Sequence, residues 1–237
     1  MILSRKNQIL LAVSGLLLAF WFWQVRPDNR TRVIFCNVGQ GDGAIVIKNN
    51  FQMLIDAGPQ NSKMAECLGR YVPFWDKEIE VFVASHSDQD HIGGLAAIKR
   101  GYHLEKEITY QNIDAGDVIR YDGIDFVVLS NSELSLIGVL KTGSKKVLFM
   151  GDADVGMEYQ IKEPVNILKV GHHGSETSTS EVFLDRIKPQ IAVISVGRGN
   201  IYGHPKQAIL DRLSARGIEI KRTDEEGDLI FDLSLDK

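Results

Sequence analysis

Residues 81–94 constrain this chain more than any other stretch. A run of β-branched and aromatic residues, the pattern of a buried strand, leads into four residues of metal-ligand type and then a glycine pair. The four are His86, Asp88, Asp90 and His91. Carboxylates packed this closely repel one another unless cations neutralise them. A polar turn with an aspartate N-cap would explain one of the acids but not the whole group. Because mixed His and Asp ligation suits zinc or manganese, the stretch predicts a divalent-metal site.

Three later segments have the same character. Asp152, the pair His172 and His173, and His204 each lie beside glycine, the first three at the end of an apolar run. Five of the six histidines fall in these segments or in residues 86–91, and His103 is the exception. Since α/β sheets place active sites just past the carboxyl ends of strands, we expect these side chains to converge.

The rest of the chain predicts a layered fold. Short apolar runs bounded by Gly, Asn, Asp or Ser predict strands at residues 33–38, 44–47, 52–55, 81–84, 126–129, 136–140, 146–150, 166–170 and 191–196. Apolar spacing of three and four predicts helices at residues 62–71, 94–100, 180–187 and 205–215, with Ser180 as an N-cap. Hairpins come first and strands alternate with helices later, which favours an α/β (α+β) architecture with mixed sheets.

The amino-terminal segment has a different composition. Residues 9–25 are almost wholly apolar and would span roughly 26 Å as a helix. Basic residues precede the run, Trp21 to Trp23 crowd its far end, and no small-residue cleavage pattern follows it. The absence of a polar face argues against a buried core helix. We therefore predict a single-pass transmembrane helix and short linker over residues 1–32, with the linker at 27–31. The domain of residues 33–237 is expected on the extracytoplasmic side of the cell membrane.

Charge is divided unevenly along the chain. The total is 27 Lys+Arg against 31 Asp+Glu, but residues 1–32 carry a net +4 and the remainder a net −8. Bulk basicity is therefore not the means by which the chain could bind nucleic acid. No aromatic-rich stacking platform is visible. A small basic groove has these candidates: Lys141, Lys145, Lys146, Lys169, Arg198, Lys206, Arg212 and Arg216.

The two cysteines do not have metal-binding spacing. Cys36 lies at the end of a predicted strand and Cys67 inside a predicted helix. We expect two buried free thiols, with a disulfide as the alternative in an oxidising space.

Seven ordered motifs resemble those of one family. They are residues 37–42 (NVGQGD), 54–58 (LIDAG), 86–91, 151–152, 171–175 (GHHGS), 202–205 (YGHP) and 223–227 (TDEEG). Over nearly all of residues 33–233 the chain resembles metallo-β-lactamase-fold hydrolases. Within them it is similar to the soluble hydrolase domain of ComEC-type competence proteins, which take up DNA. The resemblance implies a four-layer αββα sandwich of two mixed sheets with two metal ions, Zn²⁺ or Mn²⁺, at one edge.

The resemblance also implies a ligand set. His86 and Asp88 would bind the first ion, Asp90 and His91 the second, and Asp152 both. Asp88 stands where most of the superfamily has a second histidine. That substitution is typical of the competence-type branch and makes manganese an alternative to zinc.

The implied ligand set also includes one of the paired histidines and lacks one histidine of the superfamily. Either His172 or His173 would bind the second ion, and the sequence leaves the choice open. The superfamily histidine that normally precedes Asp152 is missing. The polar candidates near that place lie in residues 131–135, so the first ion is expected to be weakly held or partly solvated.

The first motif departs from the family as well. It begins with Asn37, where the family has aspartate, and Asp42 and Asp56 remain to support the site. Asp56 is a candidate acceptor for a ligand histidine.

Catalytic roles follow from the same resemblance. A water activated by the two ions would be the nucleophile, and Asp90 would orient it or take its proton. His204, or whichever of His172 and His173 is not a ligand, would donate to the leaving oxygen or hold a phosphate oxygen. Ser175 is expected to contact substrate.

The function implied is that of a membrane-anchored, metal-dependent phosphodiesterase or nuclease, with single-stranded DNA as substrate. If it serves DNA uptake, separate membrane channel proteins are the expected partners. An alternative is a hydrolase of envelope phosphodiesters such as phosphocholine-bearing polymers. β-Lactams are disfavoured by Asp88. A non-catalytic metal-binding protein is the third class, and the full ligand set counts against it.

Overall fold

The computed structural model of the chain describes residues 4–24 and 29–234, with the side chains of residues 10 and 17–24 excepted. The strands within this range are β1 (Arg32–Phe35), β2 (Ala44–Lys48), β3 (Phe51–Ile55), β4 (Glu78–Val83), β5 (His103–Ile108), β6 (Val118–Tyr121), β7 (Ile124–Asn131), β8 (Leu136–Thr142), β9 (Lys145–Phe149), β10 (Ile167–Lys169), β11 (Ile191–Ile194), β12 (Glu219–Arg222) and β13 (Leu229–Asp232). The helices are α1 (Arg5–Gln24), α2 (Lys63–Tyr71), α3 (Gln89–Ile92), α4 (Leu95–Ile98), α5 (Glu181–Ile187), α6 (Gln207–Ser214) and α7 (Thr223–Glu226). Short 3-10 turns occupy Glu158–Gln160 and Gly171–Gly174.

The strands form two mixed sheets. The first has the order β13-β1-β2-β3-β4-β5 and the second the order β12-β11-β10-β9-β8-β7-β6. In the first sheet β3, β4 and β5 run parallel, and in the second β9, β10, β11 and β12 do. The remaining neighbours pair antiparallel. The parallel strands bring the segments that follow β3, β4, β9 and β10 to one edge.

The sheets pack face to face, and each carries helices on its outer face. Successive side chains of a strand point to opposite faces. Val33 and Phe35 accordingly lie in the core between the sheets, whereas Ile34 lies in an outer core with Leu68 of α2. The second outer core packs α5 and α6 onto the other sheet, with Phe183 at its centre. The predicted four-layer αββα sandwich is confirmed.

The predicted elements are present, with small shifts at their ends. Ser180 caps α5 as expected, because its Oγ accepts a hydrogen bond from the Phe183 amide at 3.2 Å, an interaction worth about 1 kcal/mol. The helix predicted at residues 94–100 forms as the short α4, preceded by α3. Four strands were not predicted, namely β5, β6, β12 and β13.

The expectation of free thiols is wrong. Cys36 and Cys67 form a disulfide, with their Cα atoms 6.1 Å apart. The reason lies in the layering, since both residues belong to the outer core between the first sheet and α2. The bond ties the end of β1, and therefore the loop at residues 37–43, to that helix.

The predicted membrane anchor falls partly outside the described residues. Helix α1 runs over 20 residues, but residue 25 of the apolar run and residues 25–28 around the predicted linker lie beyond the described range. No helix in the part of the chain that the structure describes has the length and apolar character that crossing a membrane requires.

Candidate metal centre

The predicted site residues meet at one edge of the sandwich. Asp56 follows β3, His86 follows β4, Asp152 follows β9, and the histidine pair follows β10. Two sheets thus contribute to one cluster, which no single segment of the sequence could build.

One group of donors forms a compact site. Asp90, His91, Asp152 and His173 each offer a ligand atom, and these atoms all lie within 4.8 Å of one another. His91 Nε2 is 3.2 Å from Asp152 Oδ1, and His173 Nε2 is 3.1 Å from Asp90 Oδ2. Such separations are those expected of ligands around a single transition-metal ion, since metal–ligand bonds are about 2.0–2.2 Å long.

A second group meets the other oxygen of the same carboxylate. His86 Nε2 lies 3.8 Å from Asp152 Oδ2 and 3.6 Å from Asp88 Oδ2. His172 Nε2 is also 3.8 Å from Asp152 Oδ2. The Asp88 side chain is 71 % exposed, so this side of the cluster opens to solvent.

Three donor atoms point into the cluster without a hydrogen bond. They are His86 Nε2, His91 Nε2 and Asp152 Oδ1, all buried. The last two lie 3.2 Å apart but do not form a well-oriented hydrogen bond. Leaving a buried polar atom unpaired costs roughly 1–3 kcal/mol, more for a charged group. Divalent ions would satisfy all three atoms, so the residues present fit a metal centre.

The imidazoles share one orientation. In each ring Nδ1 faces an acceptor of the protein and Nε2 faces the cluster. The Nδ1 partners are Asp56 Oδ2 at 2.8 Å for His91, Ser195 O at 2.9 Å for His173, Ser85 Oγ at 3.0 Å for His86 and Thr177 Oγ1 at 3.2 Å for His172. A proton held on Nδ1 leaves the Nε2 lone pair free for a metal, which is how acceptors behind a site orient its ligands.

Asp56 supports two of these rings. Besides His91 it accepts hydrogen bonds from the Ser85 amide at 2.7 Å and the Ser85 hydroxyl at 2.8 Å. Since that hydroxyl donates to Asp56, its oxygen is free to accept from His86. Asp56 therefore holds one ring directly and the other through Ser85.

Asp42 lies behind the cluster in a buried ion pair. Its carboxylate is 2.6 Å from Lys169 Nζ and 3.2 Å from His173 Nδ1. Burial alone would raise the pKa of Asp42, but Lys169 and His173 hold that pKa well below its usual range. Lys169 is only 3 % exposed. Its proposed place in a surface groove is therefore wrong, and it neutralises an acid instead.

The same neighbouring charges shift the pKa values of the candidate ligand histidines. Burial disfavours charge on His173, yet Asp42 and Asp90 raise its pKa to about 9. The pKa of His91 is raised for the same reason, against burial, chiefly by Asp56 and Asp152. Without metal these rings carry protons, whose positive charge a divalent ion would replace.

The backbone is forced into unusual conformations here. His172 and His173 have φ of 46° and 52°, the left-handed region, which side chains other than glycine seldom adopt. Gly41 has φ 142°, and a Cβ at that position would lie 2.2 Å from the Asp90 carbonyl oxygen. Only glycine lets the loop carrying Asp42 approach Asp90, whose carbonyl accepts from the Asp42 amide at 3.1 Å.

Two of the polar residues expected to replace the missing histidine make hydrogen bonds to the backbone instead. Asn131 Nδ2 donates to the carbonyl of Tyr110 at 2.8 Å, and Ser135 Oγ donates to that of Met150 at 3.0 Å. Both therefore brace backbone. His172 is the residue that lies near the group with His86 and Asp88.

His204 and Ser175 lie outside the donor groups. The His204 ring is 6.0 Å from the His172 ring, and burial and Lys206 lower its pKa. Ser175 Oγ is 3.0 Å from Thr177 Oγ1, the atom that faces His172. Ser175 is buried beside Thr177, and its contact with substrate stays a prediction.

Known proteins share this fold and much of this sequence. Competence protein ComA from Neisseria gonorrhoeae is 32% identical over 227 residues, covering 87% of this chain and 33% of the relative. ComE operon protein 3 from Bacillus subtilis is 28% identical over 248 residues, covering 82% of this chain and 32% of the relative. The metallo-β-lactamase fold protein YhfI from Bacillus subtilis superposes with a TM-score of 0.59 at 10% identity, covering 85% of this chain and 99% of that one. The chain carries a metallo-β-lactamase-fold domain like that of ComEC-type competence proteins.

The matches to the curated relatives cover the metallo-β-lactamase-fold domain and only part of each relative. The chain spans about a third of the length of the two curated relatives. The likeness to YhfI shows the fold alone. No established protein-family profile matches the chain.

Sequence reasoning missed part of the support for this metallo-β-lactamase-fold site. Ser85, Thr177 and the carbonyl of Ser195 each meet a histidine Nδ1. Ser85 adjoins His86, and Thr177 lies close after the GHHGS motif, so proximity in sequence was a usable signal for both. The Ser195 carbonyl comes from the end of a separate strand and carries no such signal.

Proposed function

We propose that this chain is a metal-dependent phosphodiesterase whose site holds two divalent ions, Zn²⁺ or Mn²⁺. The observation that carries the proposal is the position of Asp152. One of its carboxylate oxygens faces the group with His91 and the other faces the group with His86. A carboxylate shared by two sets of donors would hold two metal ions close together, as two-metal hydrolases do.

The ligands divide between the two sites. Asp90, His91, Asp152 and His173 would hold the second ion. His86, Asp88 and Asp152 would hold the first, and His172 takes the place of the missing superfamily histidine. This arrangement gives both members of the histidine pair a role, one on each side of Asp152.

The ions, when bound, would activate water and neutralise a phosphodiester. The other functions fall to the chain's own side chains. Asp90 keeps its negative charge because His173 lowers its pKa against the effect of burial, so it can accept a hydrogen bond from the attacking water. His204 stays neutral near pH 7 because burial and Lys206 lower its pKa. It can donate a hydrogen bond to a phosphate oxygen.

The substrate we propose is single-stranded DNA. Support comes from the relatives named as competence proteins, and from the exposed Asp88 side, which leaves the cluster open to an extended polymer. The net −8 of residues 33–237 is offset locally by the ions rather than by a basic groove.

A substrate panel tests this function. The full chain, stripped with EDTA, is assayed with added Mn²⁺ or Zn²⁺ on single-stranded DNA, duplex DNA and bis-p-nitrophenyl phosphate. We expect cleavage of single-stranded DNA that requires metal. Cleavage of the model diester alone would indicate a hydrolase of small or envelope phosphodiesters. No cleavage of any substrate with ions bound would indicate a non-catalytic metal-binding protein.

We further propose that residues 1–32 anchor the chain in the cell membrane with the metal centre outside. The apolar run of residues 9–25 supports the anchor. The Cys36–Cys67 disulfide supports the orientation, because such bonds persist in oxidising spaces. An alkaline phosphatase fused after residue 237 should be active in cells and sediment with membranes. An inactive fusion would indicate the opposite orientation, with the metal centre inside. A fusion that stays in the soluble fraction would contradict the membrane anchor.

A further inference from the structure

The loop between β11 and α6 is held rigidly beside the metal centre. Asn200 Nδ2 donates to the carbonyls of Gly197 at 3.0 Å and His204 at 2.7 Å, while Asn200 Oδ1 accepts from the His204 amide at 3.0 Å. Lys206 Nζ donates to the carbonyl of Tyr202 at 2.8 Å. A loop with this many internal hydrogen bonds has a defined shape.

That shape places two large apolar side chains in water. Ile201 is 92 % exposed and Tyr202 is 57 % exposed. Hydrogen bonds of the loop flank this pair on both sides. A rigid loop that presents an aromatic face to solvent suits a flat ligand, because little conformational entropy is lost when the ligand stacks.

The rings of this region form a row that leads to the donors. The Tyr202 and His204 rings are nearly parallel, 12° apart in plane with centroids 5.9 Å apart. The His204 ring lies 6.0 Å from the His172 ring. His172 in turn reaches Asp152 Oδ2 at 3.8 Å. A nucleotide whose phosphate lies at the cluster would therefore have Tyr202 within reach of a base close to that phosphate.

We propose that Tyr202 is the stacking platform for an unpaired base of single-stranded nucleic acid bound across the metal centre. This inference rests on the proposed phosphodiesterase function and names its substrate contact. Bases in a duplex are already stacked on one another, so a platform of this kind selects single strands. The sequence has no aromatic-rich stretch, and the platform proposed here is a single aromatic side chain beside a histidine ring.

Nucleic acid fits this surface better than a lipid bilayer does. Insertion into lipid needs apolar bulk but no particular ring plane, whereas Tyr202 is aligned with His204 in a row that ends at the donors. Lys206 lies directly under the loop as a cation that a nucleic-acid backbone would meet.

The test compares an oligothymidine with an abasic strand of the same length, which keeps the phosphates and lacks the bases. The quantity measured is the ratio of kcat/KM for the two strands, with the full chain and Mn²⁺. Stacking on one aromatic side chain contributes enough that Tyr202→Ala should lower this ratio about 5- to 150-fold. Tyr202→Phe should restore most of it. Tyr159→Ala, which removes an exposed tyrosine elsewhere, should leave it unchanged.

Each other outcome is decisive. If the wild type cleaves the oligothymidine and Tyr202→Ala lowers kcat/KM equally for both strands, or for neither, the stacking inference fails while the proposed function stands. If Tyr202→Ala instead reduces sedimentation with phosphatidylglycerol vesicles and leaves the ratio unchanged, the loop docks on membranes and the inference is overturned. If the wild type cleaves no strand, the proposed function itself fails.

Discussion

The carboxylate of Asp152 lies between His91 and His86, with one oxygen near each ring. Its Oδ1 lies 3.2 Å from His91 Nε2 and its Oδ2 lies 3.8 Å from His86 Nε2. The two imidazoles are themselves in ring contact, with centroids 4.0 Å apart. A single acid therefore lies between two donor groups.

Removing that acid should affect both metal sites. In Asp152→Ala we expect less than one ion per chain by elemental analysis, and a fall in kcat on bis-p-nitrophenyl phosphate of at least about 100-fold, since each ion contributes several kcal/mol to catalysis. Asp88→Ala is the matched control. It removes a ligand of one group only, so one ion should remain. Equal metal content in the two variants would contradict the shared role of Asp152.

His172 should be required for the first ion alone. His172→Ala removes the imidazole that lies near Asp152 Oδ2 and leaves the donors around His91 intact. Elemental analysis should therefore find about one ion per chain instead of two. Ser135→Ala is the control, because Ser135 braces the Met150 carbonyl and should leave both ions in place. If Ser135→Ala lost one ion and His172→Ala kept both, residues 131–135 would be the source of the missing ligand.

Lys169 should be required for stability. Lys169→Met removes the nearer of the two cations that face the buried Asp42 carboxylate, and breaking a buried pair costs about 3–5 kcal/mol. Urea unfolding of the metal-free protein measures this loss. Lys162→Met, on an exposed lysine, should unfold like the wild type. If Lys169→Met unfolded at the wild-type urea concentration, Asp42 would not depend on that pair.

The disulfide should be present in cells. Maleimide added to denatured protein without reductant should label neither Cys36 nor Cys67, and after reduction it should label both, as mass spectrometry would show. The Cys67→Ala chain should lose about 2–4 kcal/mol of unfolding free energy, because a bond that closes this loop restricts the unfolded state. Labelling of both thiols before reduction would remove the support for an extracytoplasmic domain.

The sequence predicted the inner strands and missed edge strands for a physical reason. Strands buried on both faces are nearly continuous apolar runs, as in β2, and β3 departs from this pattern only at Gln52. In β6 and β12, at the ends of the second sheet, no residue is fully buried, and β5 buries only Leu104 and Ile108. Strands of this kind have no apolar pattern that periodicity could detect.

The candidate site was predictable in its residues but not in its arrangement. The density of His86, Asp88, Asp90 and His91 signalled metal chemistry because no packing argument requires it. The positions of His172 and His173 relative to Asp152 could not be predicted, because both residues have left-handed backbone conformations and their ring planes lie 71° apart. Lys169 was predicted as a surface cation, but in the folded chain it is buried and forms an ion pair with Asp42.

The most direct test of the two-metal centre is anomalous diffraction from crystals of the chain grown with Mn²⁺. The account predicts two anomalous peaks on either side of the Asp152 carboxylate, one among Asp90, His91 and His173, the other beside His86 and His172. A single peak, or none within bonding distance of Asp152, would contradict it.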